Sequence, residues 1–134
     1  MASAQIQSFI DGFYKLSDSH CEPSEYADAF ADDGKLDGFA IGPMPMTKAK
    51  EGIVAWRSKA WDVVTSRHHR VLQVFPKADD PHTLVLLGDL TSDKKDGGKM
   101  FATWAGHMKL DKDAKKITYY KVWLVSSTGA ARNS

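Results

Sequence analysis

The sequence has a single cysteine, a nearly balanced charge and no long apolar run. Because Cys21 has no second cysteine, the chain cannot form an internal disulfide, a CxxC redox pair or a cysteine zinc site, which favours a reducing, cytoplasmic compartment. The 18 Lys and Arg against 17 Asp and Glu give a formal charge of +1, too little for a field that attracts nucleic acid or an anionic membrane. No segment approaches the roughly 20 apolar residues that a bilayer span needs. We therefore expect an unexported protein with no nucleic-acid or membrane partner.

Motifs that would carry cofactor or metal chemistry are also absent. The sequence contains no GxGxxG, GxxxxGK[ST], HExxH or GxSxG, the signatures of dinucleotide binding, phosphate loops, zinc proteases and serine hydrolases. The five histidines do not have the spacing of a metal-ligand set. We expect neither a cofactor nor a metal.

The length and composition are those of one ordinary globular domain. The chain has 134 residues and 43% hydrophobic residues, enough to enclose a core and one small pocket. With no repeat or linker in the sequence, we expect a single domain over 1–134, with its core at about 6–126 and a loose tail at 127–134.

Helical periodicity dominates the first half of the chain. Apolar residues recur there at three- and four-residue steps, which predicts amphipathic helices with aromatic faces. Proline at a helix start, paired prolines in a loop and a threonine N-cap set the boundaries. The predicted elements are a helix over 4–17, a short helix from Pro23 closed by Asp32-Asp33-Gly34, a strand over 35–39, a loop over 42–46 and a helix from Thr47 through residue 63 or 64.

The second half has the pattern of strands. Apolar and β-branched stretches alternate with short polar turns, which predicts an antiparallel meander. Because helices come first and strands follow, the fold class is α+β. The predicted strands cover 67–75, 83–91, 100–110 and 117–125.

This order of elements resembles the cone-shaped nuclear transport factor 2-like fold, and specifically its SnoaL-like branch of small polyketide cyclases, isomerases and dehydratases. The segments that carry the resemblance are FADDGKL at 30–36, RHHRV at 67–71 and KITYYKVW at 116–123. The resemblance implies three N-terminal helices packed on the concave face of a curved antiparallel sheet. It also implies a pocket between the helices and the sheet, and a dimer formed through the convex face of the sheet.

His68 and His69 are the most informative pair in the sequence. Side chains alternate across a strand, so one imidazole should face the pocket and the other should face outward. An imidazole serves as both acid and base near neutral pH. In the similar scytalone dehydratase-like proteins, a catalytic histidine begins the corresponding strand. The alternative is a pair that makes surface hydrogen bonds.

The same resemblance shows departures from the family pattern. A second catalytic histidine of those dehydratases falls near Gly88, and their strand asparagine falls near Gly106. The catalytic carboxylate of ketosteroid isomerase-like proteins aligns with Gly38, next to Asp37. These absent partners favour a protein that binds without catalysis.

Two further polar residues are candidates for the site. Tyr14 matches the helix position where those isomerases carry a phenol that binds the substrate oxygen, although a core tyrosine is an alternative interpretation. Asp89 is either a pocket carboxylate with a raised pKa or a residue on the outer side of the sheet.

The parity of the closing strand, as the resemblance implies it, divides the sheet into two faces. If Tyr120 and Val122 point inward, a small hydrophobic ligand would contact them, unless the same residues form a plain core. The opposite parity set would lie on the convex face and form a homodimer interface. The predicted pocket lining is Phe13, Trp56, Leu86, Trp104, Met108, Tyr120 and Val122, and the convex set is Phe101, Thr103, His107, Tyr119, Lys121 and Trp123.

These observations lead to one functional hypothesis with two alternatives. The first is a cofactor-independent isomerase, cyclase or dehydratase for a small apolar oxygenated metabolite of polyketide or terpenoid type. Its acid/base chemistry would use His68 or His69, with Tyr14, Tyr120 and Asp89 as polar support. The alternatives are a non-catalytic binder of a hydrophobic ligand and a dimeric interaction module. Whether the chain is an enzyme stays open at this point.

Overall fold

A computed structural model describes residues 2–39 and 47–126 of the chain. Within them, a layer of helices covers one face of a single six-stranded sheet with the order β2-β1-β6-β5-β4-β3. The α+β class is therefore confirmed. The elements are α1 (Ala4–Asp18), α2 (Pro23–Ala27), β1 (Phe30–Phe39), β2 (Thr47–Lys48), α3 (Ala49–Arg57), β3 (Val64–Lys77), β4 (Asp80–Lys94), β5 (Lys99–Leu110) and β6 (Ile117–Ser126).

The four long strands form the predicted antiparallel meander. β3 pairs with β4, β4 with β5 and β5 with β6, each antiparallel to its neighbour. β1 lies against the other edge of β6 and runs parallel to it. The sheet is thus mostly antiparallel, with one parallel pair that joins the first strand to the last.

The first helix forms where its periodicity predicts it. The Ser3 hydroxyl accepts a hydrogen bond from the Ile6 N–H at 3.2 Å and so caps the N-terminus of α1. Ile6, Ile10 and Tyr14 then follow at four-residue steps on the buried face. This face presents Tyr14 to the inner side of the sheet.

The second helix is shorter than the sequence predicts, and the strand after it is longer. α2 has five residues, and β1 already begins at Phe30, so the interpretation of residues 30–34 as a helix end is wrong. The Ile117 N–H donates to the Ala29 carbonyl at 2.8 Å, which starts the pairing of β1 with β6. A Cβ at Gly34 would lie 2.9 Å from the Ile117 carbonyl oxygen, so this close approach depends on glycine.

The third helix ends earlier than predicted. It begins at Ala49, after the short strand β2, and ends at Arg57 rather than at residue 63 or 64. The Ser58 hydroxyl bonds back to the Ala55 carbonyl at 2.7 Å, and the backbone continues in tighter i to i+3 turns. Val64 starts β3, in keeping with the strand preference of β-branched residues. The predicted loop at 42–46 and the predicted tail at 127–134 lie outside the described residues.

Alternation along the strands separates an inner face, which the helices cover, from an outer face. On β5, residues 102, 104, 106, 108 and 110 are buried, whereas 101, 103 and 109 are exposed. β6 has the parity expected for it, with Tyr120 buried and Trp123 exposed. The core therefore lies between the inner face and the helices, and both faces carry the residue sets that the sequence predicts for them.

Candidate functional site

Two buried tyrosines meet at the centre of the inner face. The Tyr14 hydroxyl of α1 lies 2.7 Å from the Tyr120 hydroxyl of β6, 106 positions later in the sequence. Burial raises the pKa of the Tyr14 phenol, and the neighbouring Tyr120 raises it further. Burial likewise raises the pKa of Tyr120. Both phenols therefore stay neutral, and the pair retains one hydroxyl proton that can be donated to a third oxygen.

Asp18, the last residue of α1, forms two hydrogen bonds with His69. Its Oδ1 lies 2.5 Å from the His69 Nδ1, and its Oδ2 accepts the His69 backbone N–H at 2.9 Å. Because a carboxylate accepts, this network assigns a proton to Nδ1, so in the neutral imidazole the lone pair is on Nε2. Within 2–39 and 47–126, no hydrogen bond to Nε2 is present. This is the orientation that a carboxylate gives a histidine base.

The imidazole of His69 also lies beside the aromatic rings of the inner face. Its centroid is 5.2 Å from the Tyr14 ring and 5.7 Å from the Trp104 ring. The His69 side chain is 13% exposed, at the edge where α1 meets β3. A base, its orienting carboxylate and two neutral phenols are thus neighbours in this part of the fold.

His68 points the other way, as alternation requires. Its side chain is 71% exposed, and its Nδ1 lies 3.8 Å from the Asp18 Oδ2. The sequence left open which histidine of the pair faces inward, and the structure selects His69.

Asp89 lies on the outer face, away from His69. Arg70 donates from Nε to the Asp89 Oδ1 at 2.9 Å and from Nη2 to the Oδ2. These hydrogen bonds from Arg70 hold the pKa of the Asp89 carboxyl below its usual range. The alternative of a pocket carboxylate with a raised pKa is therefore wrong, because Asp89 is a paired anion on the far side of the sheet.

The residues predicted to line a pocket pack against one another. Phe13, Leu86, Trp104, Met108 and Tyr120 are all buried within one apolar cluster, and Trp56 and Val122 pack at its border. The Phe13 ring lies 5.7 Å from that of Tyr120, and the Tyr14 ring lies 5.0 Å from that of Trp104. The inner face thus has the character of a core.

Two glycines make room for these rings. A Cβ at Gly88 would lie 2.6 Å from the Trp104 Cζ2 and 2.2 Å from the Arg70 carbonyl oxygen. A Cβ at Gly106 would lie 3.1 Å from the Tyr120 Cε1. The space that side chains at Gly88 and Gly106 would need is therefore occupied by the indole of Trp104 and the phenol of Tyr120.

Asp18 is the site residue that the sequence analysis missed. It lies just after the predicted end of the first helix, and its partner His69 lies 51 positions later. The available signal was its spacing, because Tyr14 and Asp18 are four residues apart and share one helix face.

The described residues include neither a metal-binding group nor a membrane-spanning helix. No three His, Cys, Asp or Glu side chains in 2–39 and 47–126 are placed to hold a metal ion. Across the same residues, no helix is long and apolar enough to cross a bilayer.

An apolar groove runs along the outer face. Its volume is about 670 Å³, and Gly88 and Trp104, which pair across β4 and β5, both border it. The Trp104 N–H donates to the Asp89 carbonyl at 2.9 Å, which fixes the ring beside Gly88. The groove is lined by Leu72, Gln73, Leu87, Gly88, Thr103, Trp104, Ala105, Trp123 and Val125.

Comparison with solved structures identifies the fold. A protein described as a SnoaL-like polyketide cyclase from Shewanella denitrificans superposes with a TM-score of 0.74 at 10% identity, over 98% of this chain and 100% of the other. A nuclear transport factor 2-like protein from Burkholderia pseudomallei gives 0.73 at 9% identity, over 97% of both chains.

A third similar structure was determined with a small ligand. It is a hypothetical protein of ketosteroid isomerase-like fold from Catenulispora acidiphila in complex with trimethylamine, with a TM-score of 0.69 at 13% identity, over 92% of this chain and 86% of the other. No family model and no curated protein sequence matches the chain. The expected nuclear transport factor 2-like fold is confirmed, and at these identities the likeness concerns the fold alone.

Proposed function

We propose that this chain is a cofactor-independent acid/base enzyme that isomerises, cyclises or dehydrates a small apolar oxygenated metabolite of polyketide or terpenoid type. The observation that carries the proposal is the Asp18–His69 pair, with its 2.5 Å contact, beside the hydrogen-bonded phenols of Tyr14 and Tyr120. A histidine oriented through Nδ1 has its Nε2 available to remove a proton from a substrate carbon or hydroxyl.

The two phenols supply the complementary electrophile. Proton removal next to a carbonyl builds negative charge on the substrate oxygen, and a preorganised neutral donor stabilises that charge. One hydroxyl of the Tyr14–Tyr120 pair donates to the other, so the second hydroxyl proton is available to the substrate. His69 then returns its proton to another atom of the same substrate, which balances the reaction without a cofactor.

Replacement of His69 tests the proposal, with His68 as the matched control. Native mass spectrometry on protein purified from its own source would first identify the bound metabolite. Turnover of that metabolite should fall about 10²- to 10⁴-fold in His69→Gln, the usual value of a general base. His68→Gln should stay within a few-fold of wild type, because its side chain points outward. A loss of affinity without a loss of turnover in His69→Gln would reject the catalytic role.

A second candidate function is a binding or interaction module without catalysis. It is favoured by the aromatic rings that fill the space beside Gly88 and Gly106. In this alternative, Asp18 and His69 join α1 to β3 as a structural contact. It predicts a bound hydrophobic molecule that His69→Gln leaves chemically unchanged.

In either case, we propose that two copies of the chain pair through the outer face. The exposed apolar side chains of the sheet lie on this face, where Trp123 is 41% and Val125 is 61% exposed. A two-fold dimer places the same patch against itself, so one apolar face is sufficient. The remaining exposed apolar residues of this face are Leu72, Phe75, Val85, Leu87 and Phe101.

Sedimentation of charged variants tests the dimer. Wild type should sediment as a dimer at micromolar concentration, and Trp123→Glu should be monomeric, because a buried unpaired carboxylate opposes association. Val63→Glu is the matched control, since Val63 is also apolar and is 64% exposed but lies in the connection before β3. A monomeric wild type, or an unchanged dimer in Trp123→Glu, would exclude this interface.

A further inference from the structure

Two arginines meet at one tryptophan near the C-terminal end of α1. The guanidinium carbon of Arg57 lies 5.6 Å from the Trp61 ring centroid, and that of Arg67 lies 5.1 Å from it. Arg57 also lies 4.6 Å from the Tyr26 ring, and the imidazole of His20 stacks on Trp61 at 3.8 Å. Two permanent positive charges are therefore held close together by an aromatic surface.

The hydrogen bonds of these arginines use only part of their donor capacity. The Arg57 Nη2 donates to the carbonyls of Ser17 at 2.8 Å and Ser19 at 3.0 Å. The Arg67 Nη2 donates to the Ala60 carbonyl at 2.9 Å. Each guanidinium has five N–H donors, so these contacts position both side chains and leave most of their donors unused.

Two donors in this group are buried without a partner. Arg57 is 2% exposed, and neither its Nε nor the Trp61 Nε1 has a hydrogen-bond partner among the residues described. A buried N–H without an acceptor is destabilising, and more so when it belongs to a charged group. Two such donors on side chains that contact each other are free to bind an acceptor from outside the described residues.

The positive charge is also unbalanced. Neither Arg57 nor Arg67 forms an ion pair within 2–39 and 47–126, and the rest of the sequence contains no Asp or Glu. Burial, and secondly the charge of Arg57, lower the pKa of Arg67. The end of α1 offsets only about half a charge, and Asp18 is bound by His69.

We propose that Arg57, Arg67 and the Trp61 indole N–H bind one small oxyanion, the carboxylate or phosphate group of a small molecule. Guanidinium groups bind both kinds of oxyanion through charge-assisted hydrogen bonds, and an indole N–H adds a third donor. Arg67 and Trp61 are only partly buried, so the proposed site borders the surface, while Arg57 lies beneath them. The site is independent of any catalytic role of His69.

Titration with simple anions tests the site without knowledge of the natural ligand. Sodium phosphate and sodium acetate are added separately to the full chain at constant ionic strength, balanced with sodium chloride. The resonance of the Trp61 indole N–H, identified with Trp61→Phe, reports binding in a ¹⁵N–¹H spectrum. We expect a saturable shift of this resonance with phosphate, acetate or both, and the effective salt identifies the oxyanion class.

Charge variants separate a specific site from general screening. Arg67→Gln should weaken the titration about tenfold or more, since a hydrogen bond to a charged group is worth about 1.5–3 kcal/mol. Arg67→Lys should retain part of the binding because it keeps the charge. Lys121→Gln is the matched control, as it removes a cation 5.0 Å above the Trp123 ring and should change nothing. No saturable shift, an equal shift with chloride alone, or an unchanged titration in Arg67→Gln would overturn the proposal.

Discussion

The two faces of the sheet are built from the same strands but have opposite relations to water. On the inner face, Leu86 and Met108 are fully buried by the helices, and Trp104 and Tyr120 interlock with α1. At outward-facing positions of the same sheet, Val85 and Trp123 are exposed to solvent. Side-chain alternation therefore separates buried from exposed residues here, but it leaves large apolar side chains on both faces.

This difference identifies the outer face as the incomplete one. An antiparallel sheet with one solvated face normally alternates apolar and polar residues. Here the outer positions include tryptophan, leucine, valine and phenylalanine, together with an apolar groove of about 670 Å³. The helices cover the inner face, whereas no described residue covers these apolar side chains of the outer face, in keeping with the proposed dimer.

The largest expected effect compares one tryptophan from each face. Trp104→Ala should lower the free energy of unfolding by about 3–5 kcal/mol, because it leaves a cavity among the packed rings of the inner face. Trp123→Ala should cost about 1 kcal/mol or less in the monomer, as expected at a surface position. Denaturant unfolding of both variants at low protein concentration measures the difference. Equal losses would mean that the two faces are equally packed.

The next effect tests the space beside the two inner glycines. Gly88→Ala should destabilise the fold by about 3 kcal/mol, at the upper end for overpacking, because its Cβ meets both a ring and a backbone carbonyl. Gly106→Ala should cost about 1 kcal/mol, since its nearest contact is the Tyr120 ring at 3.1 Å. Thermal unfolding of the pair distinguishes them. If Gly88→Ala were neutral, the Trp104 indole would not be fixed beside this position.

A smaller effect concerns the polar pair within the apolar inner face. Tyr14→Phe should cost about 1–2 kcal/mol, because it leaves the buried Tyr120 hydroxyl without its partner. Tyr119→Phe on the outer face is the matched control and should be close to neutral. Denaturant unfolding measures the free energy of unfolding of both variants. A neutral Tyr14→Phe would indicate that the Tyr120 hydroxyl finds another acceptor.

The smallest expected effect is the pH dependence of the ion pair on the outer face. The folded pKa of Asp89 is lowered by Arg70, so its stabilising contribution is complete above the unfolded pKa of about 3.9. That contribution is lost as the pH falls through the lower pKa that Asp89 has in the folded state. The difference in melting temperature between wild type and Asp89→Asn should therefore shrink from pH 5 to pH 2, whereas a constant difference would contradict the assignment.

The sequence predicts those elements in which apolar residues recur at regular spacing. The helix face around Tyr14 and the two faces of the meander follow from three- and four-residue steps and from alternation. Periodicity fails where packing overrides it, as at the end of α3, where an apolar pattern continues through residues that form turns. Helix length beyond Arg57 was therefore not predictable from spacing.

The candidate site was predictable only in part, because its partners are distant in sequence. Adjacent histidines predict that one faces inward, but which one depends on the pairing of β3 with β4, where His69 lies opposite Leu90. The hydrogen bonds between Asp18 and His69 form only when α1 packs on β3, and no local sequence pattern predicts that packing. The rings that occupy the space at Gly88 and Gly106 likewise follow from tertiary packing.

The position of β6 in the sheet has a consequence for the order of folding. β6 is the last described strand in the chain, yet it lies in the interior of the sheet, between β1 and β5. Phe30 of β1 pairs with Ile117 of β6. During synthesis, β1 therefore cannot pair with β6 until about ninety further residues have been made. A contact between residues so distant in sequence is slow to form. Before it forms, β6 does not cover the aromatic side chains of the interior. The nascent chain thus passes through a stage in which exposed aromatic side chains make it prone to aggregate with other chains.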